Sequence, residues 1–213
     1  MTSEVRKKVD EEKKIKTRNV LINSAVEVFI EYGYHQSNIS AIVAKAEVGQ
    51  GTFYRHFKSK REIFEVILKK MIKELVSELS GSLSDINRMP KSFKEYKEMF
   101  ILATLATIPV IKRNKKIIIL FLREAPTIDR AFEDEVDKIF WEFSDLVKYY
   151  LDDAIEKKYT RACNSKIVST SIIGMGTQLL KDWLYEKYDD DEIESIIIEI
   201  ADLVFLGIST PSV

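Results

Sequence analysis

Between residues 50 and 60 the chain reads QGTFYRHFKSK, and its polar members carry the groups that a nucleic acid binds. Gln50 brings an amide, Thr52 a hydroxyl, Tyr54 a phenol, Arg55 a guanidinium, His56 an imidazole, and Lys58 and Lys60 ammonium groups. Glutamine pairs bidentately with adenine and arginine with guanine, whereas hydroxyl, imidazole and ammonium groups suit phosphate oxygens. Phe53 and Phe57 lie four residues apart, a spacing that turns both inward on one helical face and leaves the polar set on the other. No comparable arrangement for catalysis occurs. Cys163 has no histidine near it in sequence, His35 and His56 both lie in the first sixty residues, and neither a glycine-rich phosphate loop nor a metal-spaced set of ligands is present. No catalytic residue, no metal and no cofactor is therefore expected, with an all-α enzyme whose residues converge only in space as an alternative reading.

Helices must position this segment. Across 213 residues there are only seven glycines and four prolines, a balance that favours packed helix over disorder. Residues 1 to 15 alternate Lys and Glu and read as a flexible basic and acidic arm, or as a polar extension of the first helix. Leu21, Ala25, Val28, Phe29 and Tyr32 then mark a buried stripe that Gly33 should stop. Asn38 can cap a second, short helix with Ile39, Ile42, Val43 and Ala46 inside, and the break at residues 47 to 49 leads into the segment above. Two short helices joined by a tight turn after a longer one make a helix-turn-helix plan. Ser59 and Glu62 form an S-x-x-E capping box for a long fourth helix expected to end near Gly81. The stretch from 81 to 90, GSLSDINRMP, is the best candidate for a joint.

The expected organisation is all-α: an arm over 1 to 15, a helix-turn-helix domain over 16 to 60, a connecting helix over 61 to 84 and a helical body over 85 to 213. In the body, a pattern from Phe93 to Val110 holds Pro109 near its end, Asn114 can cap a short helix closed by Pro126, and helices of about thirty residues from Thr127 and then over roughly 163 to 187 and 191 to 208 follow. Net charge is -1 overall, but the first sixty residues carry eleven Lys/Arg against seven Asp/Glu, so a basic front precedes an acidic body. Such asymmetry fits an anionic partner for the front, or an ordinary solvated surface. The single cysteine, the polar N-terminus and the lack of any run near ~18 apolar residues point to a soluble, cytoplasmic protein without a membrane segment.

The run from Arg18 to Phe64 resembles the DNA-binding domain of the TetR family of transcriptional regulators. The likeness is carried by Leu21, Ala25 and Phe29, by Gly33-Tyr34, by Ile42-Val43-Ala44 and, most specifically, by GTFYRHFKSKREIF from Gly51 to Phe64. It implies phosphate contacts from Ser37, Tyr54, His56 and Lys60, and base or groove contacts from Gln50, Gly51, Thr52 and Arg55. Where this sequence has Glu47, Gly49 and the pair Ser37-Asn38, the family usually has glycine, serine and two threonines. Gly49 and Asn38 still cap well, whereas a positive backbone angle at Glu47 would strain the turn by ~1 kcal/mol.

The same resemblance implies a body that senses a small molecule and dimerises through the last two helices, about 163 to 208, so that a homodimer meets a palindromic duplex with half-sites one helical turn apart. Stripes at Ile172, Met175, Leu179 and Trp183 and at Ile193, Ile196, Ile197, Ile200 and Val204 are compatible with this, and equally with a monomer core. Phe100, Leu105, Phe121, Phe140, Phe143 and Tyr150 are the candidate apolar lining of an effector site, and Lys112, Arg113 and Lys116, next to Lys115, could receive an anionic head group. Ordinary core and solvated charge are the alternatives. The expected function is a ligand-responsive regulator, a repressor released from DNA by a largely apolar effector such as a fatty acyl-CoA, with drugs, aromatic compounds and steroids fitting the apolar half as well. A helical DNA-binding protein without an effector is the remaining alternative.

Overall fold

In the computed structural model, residues 3–85 and 89–209 are described. Among them are eight helices and no strand: α1 (Ser3–Gln36), α2 (Ile39–Lys45), α3 (Gln50–His56), α4 (Lys60–Asp85), α5 (Phe93–Ile128), α6 (Arg130–Glu156), α7 (Ser165–Leu184) and α8 (Ile193–Ile208). They divide into two units, one of residues up to Lys73 with Lys116–Asp129, the other of Glu74–Lys115 with the residues from Arg130 onward. This differs from the division read from sequence, because Lys116–Asp129 groups with the helix-turn-helix and α4 contributes to both units.

Local chemistry sets most helix ends. Residues 3–15 continue α1, so the polar extension is the form the structure takes, and Gly33 interrupts that helix at φ 77°, a conformation that favours glycine. Asn38 caps α2 by accepting from the Ala41 N–H at 2.8 Å. Ser59 accepts from the Glu62 N–H at 3.1 Å, while Glu62 returns to the Lys58 N–H at 2.6 Å, one residue before the usual partner of a capping box. Ser92 and Glu95 repeat the same exchange at the start of α5. Helix α4 runs past Gly81 to Asp85, and residues 86–88 of the expected joint lie outside the described residues.

One expectation is overturned. Neither Pro109 nor Pro126 ends a helix, and Asn114 caps none; α5 runs unbroken through all three. A proline inside a helix costs about 3 kcal/mol, so two cost about 6 kcal/mol, but Val110, Ile111, Ile117, Ile118, Leu120 and Phe121 are all buried along this helix, and at about 1.5–3 kcal/mol each their burial together outweighs that loss. Asn114 instead turns its side-chain N–H back to the Val110 carbonyl at 2.9 Å.

The core of the N-terminal unit is aromatic. Phe29, Phe53, Phe57 and Phe64 are essentially fully buried with Leu21, Ile42 and Ile63. Phe29 meets Phe64 edge-on at 5.2 Å, and Phe64 packs on Phe121 from the end of α5 at 4.3 Å between ring centres. Arg61 clamps the same two helices, its Nε donating to Asp129 Oδ2 at 2.7 Å.

In the other unit, Tyr96, Met99, Leu151, Ala154, Ile172, Val204, Phe205 and Ile208 form the core, with Phe93, Phe100, Val147, Tyr150 and Met175 partly buried against it. A buried pair of hydroxyls, Ser144 and Ser169, 3.1 Å apart, joins α6 to α7. Burial and the Asp153 carboxylate that accepts its hydroxyl hold Tyr96 well above the ordinary tyrosine range.

Candidate nucleic-acid interface

The turn between α2 and α3 closes as a Schellman motif. The Val48 N–H reaches the Val43 carbonyl at 3.0 Å and the Glu47 N–H reaches Ala44 at 3.2 Å. That closure puts its middle residue in the left-handed region, and Glu47 indeed has φ 54°. The strain anticipated from sequence is therefore present in the backbone.

Helix α3 is held by Phe53 and Phe57 beneath it, with Phe57 also covered by the Arg18 guanidinium 4.9 Å from its ring. Gln50, Gly51, Tyr54 and Arg55 stand exposed, and Thr52 and His56 are half-buried. Two of these side chains are already oriented: Gln50 Nε2 donates to Ser40 Oγ at 2.9 Å, and Arg55 Nη2 donates to Thr52 Oγ1 at 2.9 Å. A Cβ built on Gly51 would meet nothing within 4 Å, so another surface can approach the backbone there.

His56 is different in kind. Its Nδ1 is buried without a hydrogen-bond partner, and burial, then the charges of Lys14, Arg18 and Arg55, lower its pKa below the ordinary histidine value. The imidazole is neutral at pH 7 in the absence of an anion. Lys14 and Arg18 thereby join the basic edge around the end of α3; their i, i+4 spacing was the signal available in sequence. Ser40, which orients Gln50, carried no such signal.

Two residues expected at phosphate are built into the scaffold. Ser37 is 5% exposed, and its hydroxyl donates to the carbonyls of Gly33 and Val28. Lys60 points into the end of α1, donating to the carbonyl oxygens of Tyr34 at 2.6 Å, Ser37 at 2.8 Å and His35 at 3.4 Å, with the Tyr34 ring 4.4 Å below. A cation on the last carbonyls of a helix satisfies orphan acceptors and opposes the dipole. Burial lowers the Lys60 pKa, with the Glu124 carboxylate opposing.

The residues expected around an effector separate. Phe100 and Tyr150 pack on one core, and Leu105, Phe140 and Phe143 are half-buried in the same unit, but Phe121 belongs with Phe64 in the other. Lys112 pairs with Asp190 at 3.1 Å, Arg113 with Glu74 at 3.7 Å and Lys115 with Glu186 at 3.4 Å, so an anionic head group would compete with carboxylates there; Lys116 is exposed. On α7 and α8, Ile167, Leu203 and Leu206 are 64%, 64% and 75% exposed, an apolar set that a core would have covered. Among the described residues no helix is long and apolar enough to cross a membrane, and no three His, Cys, Asp or Glu side chains could hold a metal ion.

Residues 21–67, which span α2, α3, the end of α1 and the start of α4, match the model for bacterial regulatory proteins of the tetR family. Over these residues the chain has the N-terminal domain of the tetR family. Among its curated relatives is the fatty acid metabolism regulator protein of Bacillus subtilis, 24% identical over 84% of this chain and 91% of that protein. The transcriptional repressor DhaR of a Mycobacterium is 36% identical, but over only 34% of this chain and 37% of its own. Among solved structures, the regulator FadR of Bacillus subtilis in complex with stearoyl-CoA shares 21% identity, with a TM-score of 0.71 and 89% of this chain and 98% of that chain covered. Residues 21–67 thus form a DNA-binding helix-turn-helix domain of the kind found in tetR-family transcriptional regulators.

Proposed function

We propose that this chain is a TetR-family repressor that binds a palindromic duplex as a homodimer and is released by a long, largely apolar effector, a fatty acyl-CoA being the first choice. The observation that carries the DNA reading is the exposed edge of α3, where Gln50 and Arg55 are free on their outer sides to meet bases beside an open Gly51 backbone, with Tyr54 next to them for phosphate. Thr52 orients Arg55, and the neutral His56 gains a charge-assisted partner when a phosphate approaches. Ser37 and Lys60 support the interface from beneath.

Dimerisation is supported by the exposed Ile167, Leu203 and Leu206 and by the open space beside Gly174 and Gly176, which a partner helix can enter closely. Two copies then place two α3 helices in successive major grooves. For the effector, support comes from the two relatives named for fatty acid metabolism and stearoyl-CoA, and from Phe100 and Tyr150 lying partly buried beside a largely apolar core. An effector acts only through its differential affinity for two conformations, and α4 and α5, each shared between both units, are the elements that would transmit it.

Native mass spectrometry of the purified protein followed by titration of its DNA complex with stearoyl-CoA tests this reading. A dimer mass and loss of DNA binding at micromolar stearoyl-CoA are expected. A monomer would overturn the dimer, and a complex indifferent to stearoyl-CoA with no co-purified ligand would leave a DNA-binding protein without this effector.

A further inference from the structure

We infer that Ser40 is a positioning residue for sequence recognition: from the first turn of α2 it holds the Gln50 amide in the orientation that reads adenine. The inference rests on Gln50 being a base-reading residue. Gln50 opens α3 behind Gly49, which offers no side-chain cap, and it is followed by Gly51, so neither neighbour in sequence restrains its side chain. What restrains it is the bond across the turn, Gln50 Nε2 to Ser40 Oγ at 2.9 Å, between two residues ten apart that are both exposed.

Ser40 is itself well placed to be an anchor. The Asn38 cap on the Ala41 N–H fixes the first turn of α2, and Ile42 and Val43, immediately after, are buried. A glutamine amide has two N–H donors and one carbonyl acceptor. With one N–H spent on Ser40, one N–H and Oε1 remain, which is the donor and acceptor pair that complements N7 and the N6 amino group of adenine. A free glutamine would have to give up several rotamers on binding, whereas this one has given them up in the folded protein.

The same bond makes Ser40 a selectivity residue rather than an affinity residue. Its loss returns freedom to Gln50 without removing a charge, so contacts to phosphate are left as they were. The expected effect of Ser40→Ala is a roughly three- to tenfold loss of preference for adenine at a single base pair, the size of one immobilised long side chain.

The test uses a duplex selected by the wild-type protein from a randomised pool, together with its single-base variants, in competition anisotropy with Ser40→Ala, Ser40→Thr and Gln50→Ala. Thermal melting is matched for all proteins first. Ser40→Ala should flatten the preference at one position while binding to random duplex and its salt dependence stay unchanged. Ser40→Thr, which keeps the hydroxyl, should retain the preference, and Gln50→Ala should abolish it at the same position. If Gln50→Ala keeps every base preference, the reading of Gln50 fails and this inference with it. If Gln50→Ala loses the preference but Ser40→Ala does not, the inference alone is refuted. A uniform loss on all sequences from Ser40→Ala would make Ser40 a phosphate contact and overturn it as well.

Discussion

Replacing Lys60 by alanine should damage the fold of the DNA-binding unit far more than its contacts to DNA. The ammonium group donates to three carbonyls at the end of α1, two of them at 2.6 and 2.8 Å, and sits 4.4 Å from the Tyr34 ring. Hydrogen bonds to a charged group contribute about 1.5–3 kcal/mol net, and a cation over an aromatic ring adds about 0.5–1 kcal/mol. Tyr34 and Ser37 are 7% and 5% exposed, so their carbonyls regain little from water when the lysine is gone. Together these terms give a loss of about 2–4 kcal/mol, a large part of the 5–15 kcal/mol that holds a typical domain. Lys60→Met, which keeps the packed stem, should recover only a minor share. Urea denaturation followed by circular dichroism measures the loss, because both tryptophans, Trp141 and Trp183, lie in the other unit and report poorly on this one. At temperatures where the variant is folded, the slope of log K against log salt for DNA should match the wild type. Unchanged stability with a slope shallower by about 1.8 per dimer, about 0.9 for each subunit, would place Lys60 on a phosphate and refute the reasoning.

Glu47→Gly removes the left-handed strain at φ 54° and returns some entropy to the unfolded chain, for a net gain of about 0.5–1 kcal/mol in urea denaturation; a loss would mean that the Glu47 side chain holds the turn. For His56 the folded pKa lies below the ordinary 6.5, so as pH falls through 6.5 the unfolded chain takes up a proton before the folded one does, and stability declines. His56→Gln should flatten that decline between pH 7 and 5.5, as measured by denaturation at each pH, and an unaltered slope would assign it elsewhere. Leu203→Glu with Leu206→Glu should convert a dimer to a monomer in sedimentation velocity while leaving the helical content intact, since both side chains are exposed in the single chain. A dimer that survives the double change would need a different interface.

The parts of the fold visible in the sequence are those decided by local chemistry. Asn38, Ser59 with Glu62, and the Phe53 and Phe57 pair each state their role within four residues, and the structure has α2, α3 and the start of α4 where they indicate. Helix ends without glycine were harder to see. After α6 and α7 the left-handed position is taken by Lys158 and Glu186, so the usual mark of a helix end is missing there, whereas after α2 the break at 47 to 49 could be placed despite Glu47. Pro109 and Asn114 misled for the opposite reason, since a local stop signal was outweighed by burial along the whole of α5. Long-range partners were invisible: Arg61 meets Asp129 across 68 positions and His35 meets Thr127 across 92, and such contacts, with Phe64 on Phe121, join the end of α5 to the DNA-binding unit. The DNA-facing candidates divided on the same principle. Gln50, Gly51, Tyr54 and Arg55 could be placed outward from helical spacing alone, whereas the burial of Ser37 and the turning of Lys60 onto the α1 carbonyls depend on where α1 and α4 meet, which no local pattern encodes.

Selection of duplex DNA from a randomised pool, by the wild-type protein and by a Gln50→Ala, Arg55→Ala double variant of equal stability, tests most directly that α3 reads sequence. The wild type should enrich one palindrome with half-sites about one helical turn apart, and the variant should lose the enrichment while still binding duplex in a salt-dependent way. Enrichment of the same palindrome by both proteins, or of none by the wild type, would contradict the assignment of α3 as the reader.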